Sequence, residues 1–90
     1  MKRLKKADYE GKLVFVEWVD CFSVDQWIPV EEAIQGHMPV IQTVGHFMAC
    51  DADKLVICAT RGMHDPTGTE LCAGTWTIPM GCVLSIKVIR

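Results

Sequence analysis

The sequence predicts an all-β fold: a small, strongly bent antiparallel barrel of the SH3-like or Sm-like type, with four to five strands and one or two short helical turns. Three observations favour it. Several short segments alternate in β fashion, no long helix separates them, and a Pro-x-Gly corner at 79–81 interrupts the last strand. A chain of 90 residues is expected to form a single domain with one core.

The first strand is predicted over residues 12–21, where Val14, Val16 and Trp18 share one face. The opposite face, which includes Phe15, is also largely apolar. A strand that is apolar on both faces is expected in the interior of a sheet.

Two short helical turns are predicted after this strand. Residues 23–26, Ser-Val-Asp-Gln, have the spacing of a capping box that opens a turn carrying Trp27. Pro29 suits an early helical position, so a second turn is predicted over residues 30–35 and ended by Gly36.

A β-hairpin is the clearest local prediction. The second strand covers residues 40–50, and Gly45 inside it predicts a bulge, a sharp bend or a close approach by another backbone. Residues 51–54 have turn chemistry and lead to a third strand over residues 55–60.

Residues 61–75 contain several glycines and an Asp-Pro pair, which predicts a long polar loop. The closing strand is predicted over residues 76–89. Pro79 and Gly81 would turn it around an edge of the barrel.

The charge is unevenly distributed. Four of the nine Lys and Arg residues lie within residues 1–6, so residues 1–9 are predicted to be a basic, solvated and partly frayed tail. The remaining chain carries five basic and eleven acidic side chains, a net charge of −6. Binding of a nucleic-acid duplex by this acidic body is not expected. No apolar run approaches the length of a membrane span, and no secretory signal is apparent, so neither a membrane span nor secretion is expected.

The five cysteines are an odd number, and several lie in strand-like apolar runs where a free thiol acts as a small hydrophobe. They are expected to be reduced, in a cytoplasmic protein. No Cys-x-x-Cys pair is present, and His46 and Cys50 lie on a predicted strand, so neither a metal nor another cofactor is expected. The cysteines are Cys21, Cys50, Cys58, Cys72 and Cys82.

The three tryptophans have different expected roles. Trp18 is expected in the core, in register with Val14 and Val16. Trp27 lies outside the strands, where it would either cover the core as a lid or offer a flat surface to a base. Trp76 lies where the predicted loop enters the last strand, a position suited to stacking on a ligand or on a neighbouring subunit.

Polar candidates for a ligand site lie at strand ends and in the predicted loop. Asp20, beside Ser23, would either fix the turn or bind a ligand hydroxyl. Arg61, next to Thr60, would either donate a bidentate pair of hydrogen bonds to a phosphate or carboxylate, or form an ordinary surface ion pair. His64 adds a polar group to the same loop. No phosphate loop or hydrolase signature is present, so an enzyme is not expected.

Several short motifs follow one another along the chain: Val16-x-Trp18-x-Asp20, Trp27, Thr43-Val44-Gly45 and Ile78-Pro79-x-x-Cys82-Val83, closing on Ile86. In these motifs, over residues 14–89, the chain resembles a group of small, mostly uncharacterised all-β bacteriophage and prophage proteins. Such proteins often carry a basic residue after the Ile-Pro pair, where this chain has Met80. Small phage β-proteins of this size include oligomeric sponges that trap nucleotide immune signals of the host.

Two functions from different classes follow. The resemblance implies an anti-defence sponge: a homo-oligomer that sequesters a nucleotide-like host signal without catalysis, in pockets between subunits. Its predicted ligand residues are Trp27, Arg61, His64, Trp76, Asp20, Ser23 and Thr60. The alternative is an interaction module that binds a host or phage protein through a strand edge or an apolar surface.

Overall fold

A computed structural model describes residues 4–89. Its elements in chain order are a 3-10 turn at Lys6–Asp8, β1 at Leu13–Val19, α1 at Val30–Ile34, β2 at Val40–Cys50, β3 at Lys54–His64, β4 at Glu70–Pro79, a second 3-10 turn at Met80–Cys82, and β5 at Val83–Val88. All pairings are antiparallel, and the five strands form one sheet in the order β4-β3-β2-β1-β5. The predicted all-β class is confirmed.

The core lies on one side of this sheet. Because β1 pairs with both β2 and β5, it is an interior strand, as predicted. Its alternate residues Val14, Val16 and Trp18 are buried, and Trp18 belongs to the core as expected. The core cluster consists of Val14, Val16, Trp18, Phe47, Leu55, Ile57, Ile78, Met80 and Val83.

The predicted hairpin between β2 and β3 is confirmed. The Asp51 carboxylate fixes its turn by accepting hydrogen bonds from the backbone N–H groups of Asp53 and Lys54 at 2.8 and 2.9 Å. The close approach predicted at Gly45 is also present. A Cβ atom on this residue would lie 2.8 Å from the carbonyl oxygen of Cys58 on β3. Only glycine lets the two backbones come this near.

The long polar loop predicted over residues 61–75 is wrong. Strands β3 and β4 continue through most of it, and only residues 65–69 connect them. Two glycines explain the difference. Gly62 adopts φ 102° at a register shift of the β3–β4 ladder, and Gly74 adopts φ 70° within β4. The glycines therefore make irregularities inside a hairpin, and pairing resumes beyond them.

The helical turn predicted at residues 23–26 is also wrong. No helix forms there, and α1 begins only after Pro29, which is its N-cap residue. A proline disfavours the helical conformation of the residue before it, so a turn started at Ser23 could not extend past Trp27. The second predicted turn is confirmed, with Gln35 as its C-cap residue.

The described part of the basic N-terminal segment is docked, so the prediction of a frayed tail over residues 1–9 is wrong for residues 4–9. Leu4 and Tyr9 pack against the core, and the Tyr9 ring lies 5.7 Å from that of Phe47. The apolar side chains of this segment anchor it on the sheet, and its charge pattern alone does not predict this packing. Lys2 and Arg3 lie outside the described residues.

The corner in the closing segment is confirmed. Strand β4 ends at Pro79, the second 3-10 turn follows, and β5 begins at Val83. The backbone N–H of Met80 donates a 2.8 Å hydrogen bond to the carbonyl of Asp53, which ties the corner to the start of β3. Strands β4 and β5 are the two edges of the sheet. The sheet is therefore open, and its closure into a barrel stays a prediction.

Two segments project from the body. Residues 20–39, here called the excursion, connect β1 to β2, and none of them is buried. Residues 59–75, here called the arm, belong mainly to β3 and β4 and also contain no buried residue. The radius of gyration is accordingly 16.5 Å, whereas a compact domain of this length has about 12 Å. Across residues 4–89, no helix has the length and apolarity needed to span a membrane.

We expect Gly45→Ala to lower the free energy of unfolding by about 1–3 kcal/mol, because the new methyl group would meet the Cys58 carbonyl. Gly81→Ala is the matched control. A Cβ there has nothing within 4 Å, and the residue does not need a positive φ. Urea unfolding followed by tryptophan fluorescence measures both. Equal stability of the two variants would contradict the close approach.

Candidate functional site

The predicted ligand residues lie on three parts of the structure. Asp20, Ser23 and Trp27 belong to the excursion, while Thr60, Arg61 and His64 belong to the arm. Trp76 lies in the middle of β4, paired with Ile57 of β3. The seven residues therefore do not form one site within a single chain.

Trp76 is mainly part of the protein's own packing. Its ring centroid lies 5.7 Å from that of Trp18, with the rings tilted by 58°. Trp18 in turn donates a 3.0 Å hydrogen bond from Nε1 to Thr43 Oγ1. Trp76 keeps 46% of its surface exposed, because it covers the core from an edge strand. Trp76 pairs with Ile57, which lies four positions before Arg61 on β3. At about 3.3 Å per residue, the backbones of Trp76 and Arg61 are therefore about 13 Å apart along the strand. This separation does not favour a ligand shared by the two side chains.

Arg61 already has a carboxylate partner. Its Nε and Nη2 donate to the two carboxylate oxygens of Glu70 at 2.9 and 2.8 Å, across the β3–β4 ladder. The bidentate hydrogen bond from Arg61 holds the pKa of Glu70 below its ordinary value. The guanidinium fork that would hold a phosphate is thus occupied by Glu70. His64, directly opposite Glu70 in the ladder, faces the same carboxylate.

The tip of the arm is organised by Asp65. One carboxylate oxygen accepts the backbone N–H of Thr67 at 2.8 Å, its hydroxyl at 2.6 Å, and the backbone N–H of Thr69 at 3.0 Å. These hydrogen bonds, with that of the Thr67 side chain first, lower the pKa of Asp65. The polar groups of the tip satisfy one another, so they serve the turn.

A small cavity of about 210 Å³ lies on the arm beside Arg61. Its volume is below the range of pockets that take drug-sized ligands. Nearby, burial and then the Cys72 thiol raise the pKa of Cys58, which favours the unreactive thiol form. The cavity is lined by Thr60, Arg61, Met63, Leu71, Cys72 and Ala73.

Asp20 closes the base of the excursion. Its backbone N–H donates to the Pro39 carbonyl at 3.0 Å, and its carboxylate accepts the N–H of Cys21 at 2.8 Å. Asp20 therefore has the turn-fixing role, one of the two roles predicted for it. Ser23 lies three residues further on and is exposed.

Trp27 is not a lid over the core. Its relative exposure is 103%, so its whole indole surface is open to solvent. An unshielded indole is costly in water, and tryptophans of this kind are typical of binding surfaces. The other predicted role of Trp27, a flat surface offered to a base, stays a prediction.

A groove of about 590 Å³ lies in the excursion, within the volume range of ligand pockets. Ile28 is one of its lining residues, whereas Trp27, its neighbour in sequence, does not line the groove. The lining is mostly apolar and contains neither Lys nor Arg. It consists of Phe22, Val24, Ile28, Glu32, Ala33, Gln35, Gly36, His37 and Met38.

The groove was not predicted from the sequence, because its lining residues were interpreted only as parts of two helical turns or were not assigned. One signal was available. Phe22, Val24, Ile28 and Met38 are large apolar residues in a segment without strand periodicity, where turn residues are usually polar. In residues 4–89, no group of three or more His, Cys, Asp or Glu side chains is arranged to hold a metal ion.

We expect the tip of the arm to loosen as the pH falls below the ordinary pKa of an aspartate. A carboxylate whose pKa is lowered in the folded state stabilises that state above its unfolded pKa. The contribution is lost as the pH falls through its folded pKa, because a protonated Asp65 accepts the Thr67 and Thr69 hydrogen bonds more weakly. The amide resonances of Thr67 and Thr69, followed by NMR from neutral to acidic pH, measure this.

Asp65→Asn is the control for this titration, because its amide does not titrate and should leave both resonances without an acidic transition. A midpoint at or above the ordinary aspartate pKa in the wild-type protein would contradict the hydrogen bonding at the tip.

The chain was also compared with known proteins. No family model, no curated protein and no solved structure matches it.

Proposed function

We propose that this protein is a non-catalytic binding protein that sequesters a nucleotide-like small molecule, as a phage anti-defence sponge in the host cytoplasm would. The observation that carries this is the groove of about 590 Å³ in the excursion, together with the fully exposed indole of Trp27, which precedes the lining residue Ile28 in the same segment. A mostly apolar groove with a few polar groups is the usual form of a small-molecule site.

The chemistry of the groove favours the nucleoside part of such a ligand. The apolar side chains of Phe22 and Val24 offer contact to a flat base, and Trp27 offers a stacking surface. The Glu32 carboxylate can accept hydrogen bonds from ribose hydroxyls, and the Gln35 amide can both donate to and accept from a base edge.

The same chemistry disfavours phosphate inside the groove. Glu32 contributes a negative charge, the lining contains neither Lys nor Arg, and Arg61 on the arm is held by Glu70. We infer that phosphates, where present, stay at the open side. A nucleoside or a cyclic nucleotide fits better than an ADP-ribose derivative or a polyphosphate, which carry more phosphate charge for each base.

We also propose that the bent sheet is an SH3-like or Sm-like barrel and that the protein acts as a homo-oligomer. The strand order β4-β3-β2-β1-β5 supports the barrel, because the two edge strands are consecutive in the chain and joined by the short 3-10 turn at Met80–Cys82. Exposed apolar side chains on the excursion support the oligomer.

A second candidate is an interaction module that binds a host or phage protein. It is favoured by the open edge of β4, where the nine residues from Glu70 to Ile78 include only one that is buried. An unprotected edge offers backbone groups to a strand of another protein. A pull-down from host lysate that returns one stoichiometric protein, with no small molecule retained, would favour this candidate.

We expect calorimetric titration with nucleosides, cyclic nucleotides and ADP-ribose derivatives to find a ligand that Trp27→Ala binds about 5- to 100-fold more weakly, the range of one stacked base. His37→Ala should also weaken binding. Arg61→Ala is the matched control and should bind within about twofold of the wild type, because its partner is Glu70.

Adding phosphates to the same nucleoside should not strengthen binding, and a large gain from the triphosphate would contradict the charge argument. Native mass spectrometry of the purified protein is the complementary measurement, since it reports retained small molecules directly. Absence of binding across the ligand series, with no retained mass, would overturn the sponge proposal.

A further inference from the structure

The sheet has a second apolar side. Phe15 pairs with Val44 and Val19 with Val40, and these residues point away from the core because they alternate with Val14, Val16 and Trp18. In an antiparallel sheet with one face in water, such positions are normally polar. We call this side of β1 and β2 the outer face. Its apolar residues are Leu13, Phe15, Val19, Val40, Val44 and Met48.

The excursion is continuous with the outer face. It leaves the sheet after Val19 and returns at Val40, and these two residues are paired. Its own apolar side chains are also uncovered: Ile34 on α1 is 76% exposed, and α1 has no buried residue. A short helix with no packed face has little intrinsic stability. The excursion therefore needs a surface to pack against.

The solvent-accessible surface area of the chain can be compared with that of a compact monomer of the same mass. The chain exposes 6891 Å², whereas a compact monomer of its mass exposes about 5300 Å². The excess is about 1600 Å², and a stable interface removes about 800 Å² from each partner. Part of this excess lies on the arm, which also has no buried residue, and the rest lies on surfaces that include the excursion and the outer face.

We propose that the homo-oligomer, on which this inference rests, forms with the excursion of one copy lying on the outer face of a second copy. Each chain then contributes one apolar segment and one apolar surface. In a twofold dimer the two contacts are equivalent, so the assembly closes without leaving either patch uncovered.

Charge favours this arrangement over contact between two excursions. The excursion carries Asp20, Asp25, Glu31 and Glu32 and neither Lys nor Arg, so two of them face to face would repel. The outer face carries one cation, Lys87 of β5, and one carboxylate, Glu17, so the charges of these two residues cancel. The acidic excursion therefore meets less repulsion on the outer face than against a second excursion.

The test is the oligomeric state without any ligand, measured by sedimentation equilibrium on the full chain. The wild type should show a multiple of its 10.1 kDa chain mass at micromolar concentration. Val44→Glu, at a position 55% exposed on the outer face, and Ile34→Glu, on the excursion, should each raise the dissociation constant at least tenfold, because a buried unpaired carboxylate is costly.

Met63→Glu is the matched control. Met63 is 70% exposed, also lies on a strand, and belongs to the arm, so this variant should keep the wild-type mass. Far-ultraviolet circular dichroism of each variant confirms folding. If Val44→Glu fails to fold, Ile34→Glu decides alone, since α1 has no buried residue.

A monomeric wild type would overturn the proposal. So would an oligomer that Val44→Glu and Ile34→Glu both leave intact, or one that only Met63→Glu dissociates. Because no ligand is added, these outcomes are independent of the calorimetric test of the sponge.

Discussion

The structure depends on how little apolar surface a 90-residue chain can cover by itself. One side of the sheet is filled by a core centred on Phe47, Leu55 and Ile57, which are completely or almost completely buried. The other side carries Phe15 and Val44, and no second layer covers them within residues 4–89. A small domain gains a limited amount from its core. The uncovered side is therefore a source of stability that only another molecule can supply.

The arm and the excursion both lack buried residues, and each is held in place by different interactions. The arm is held by its backbone ladder and by exposed polar contacts such as the pair between Arg61 and Glu70. An exposed ion pair contributes about 0–1 kcal/mol, so these contacts shape the arm more than they stabilise it. The excursion is closed at its base by Asp20 and Pro39 but has no buried residue. Both segments belong to the least stable part of the chain, where binding surfaces are usually found.

The regular parts of this fold were predicted from the sequence. The segments predicted wrongly are those in which glycines or charged residues are compatible with more than one structure. Alternation located β1, and Asp51 marked the hairpin turn, because these signals are local. Gly62 and Gly74 suggested a loop. Both have a positive φ inside the β3–β4 hairpin, a conformation that glycine also adopts at irregularities of a strand. The hairpin becomes evident only from the pairing of β3 with β4. The partner of Arg61 lies nine residues away on β4, so its ion pair depended on that same pairing.

Ligand binding and self-association are coupled if both use the excursion, since each would order the same residues. An unpacked segment loses conformational entropy when it is ordered. Whichever of the two binding events happens first includes this entropic cost in its free energy, and the second does not. A second copy lying against α1 would hold Glu32 and Gln35, which line the groove, in place for a ligand. A ligand in the groove would in turn hold the excursion ready for the second copy. By linkage, each event strengthens the other by the same factor. Trp27 is fully exposed in the single chain, and we expect its indole to be covered only in the assembled, ligand-bound protein.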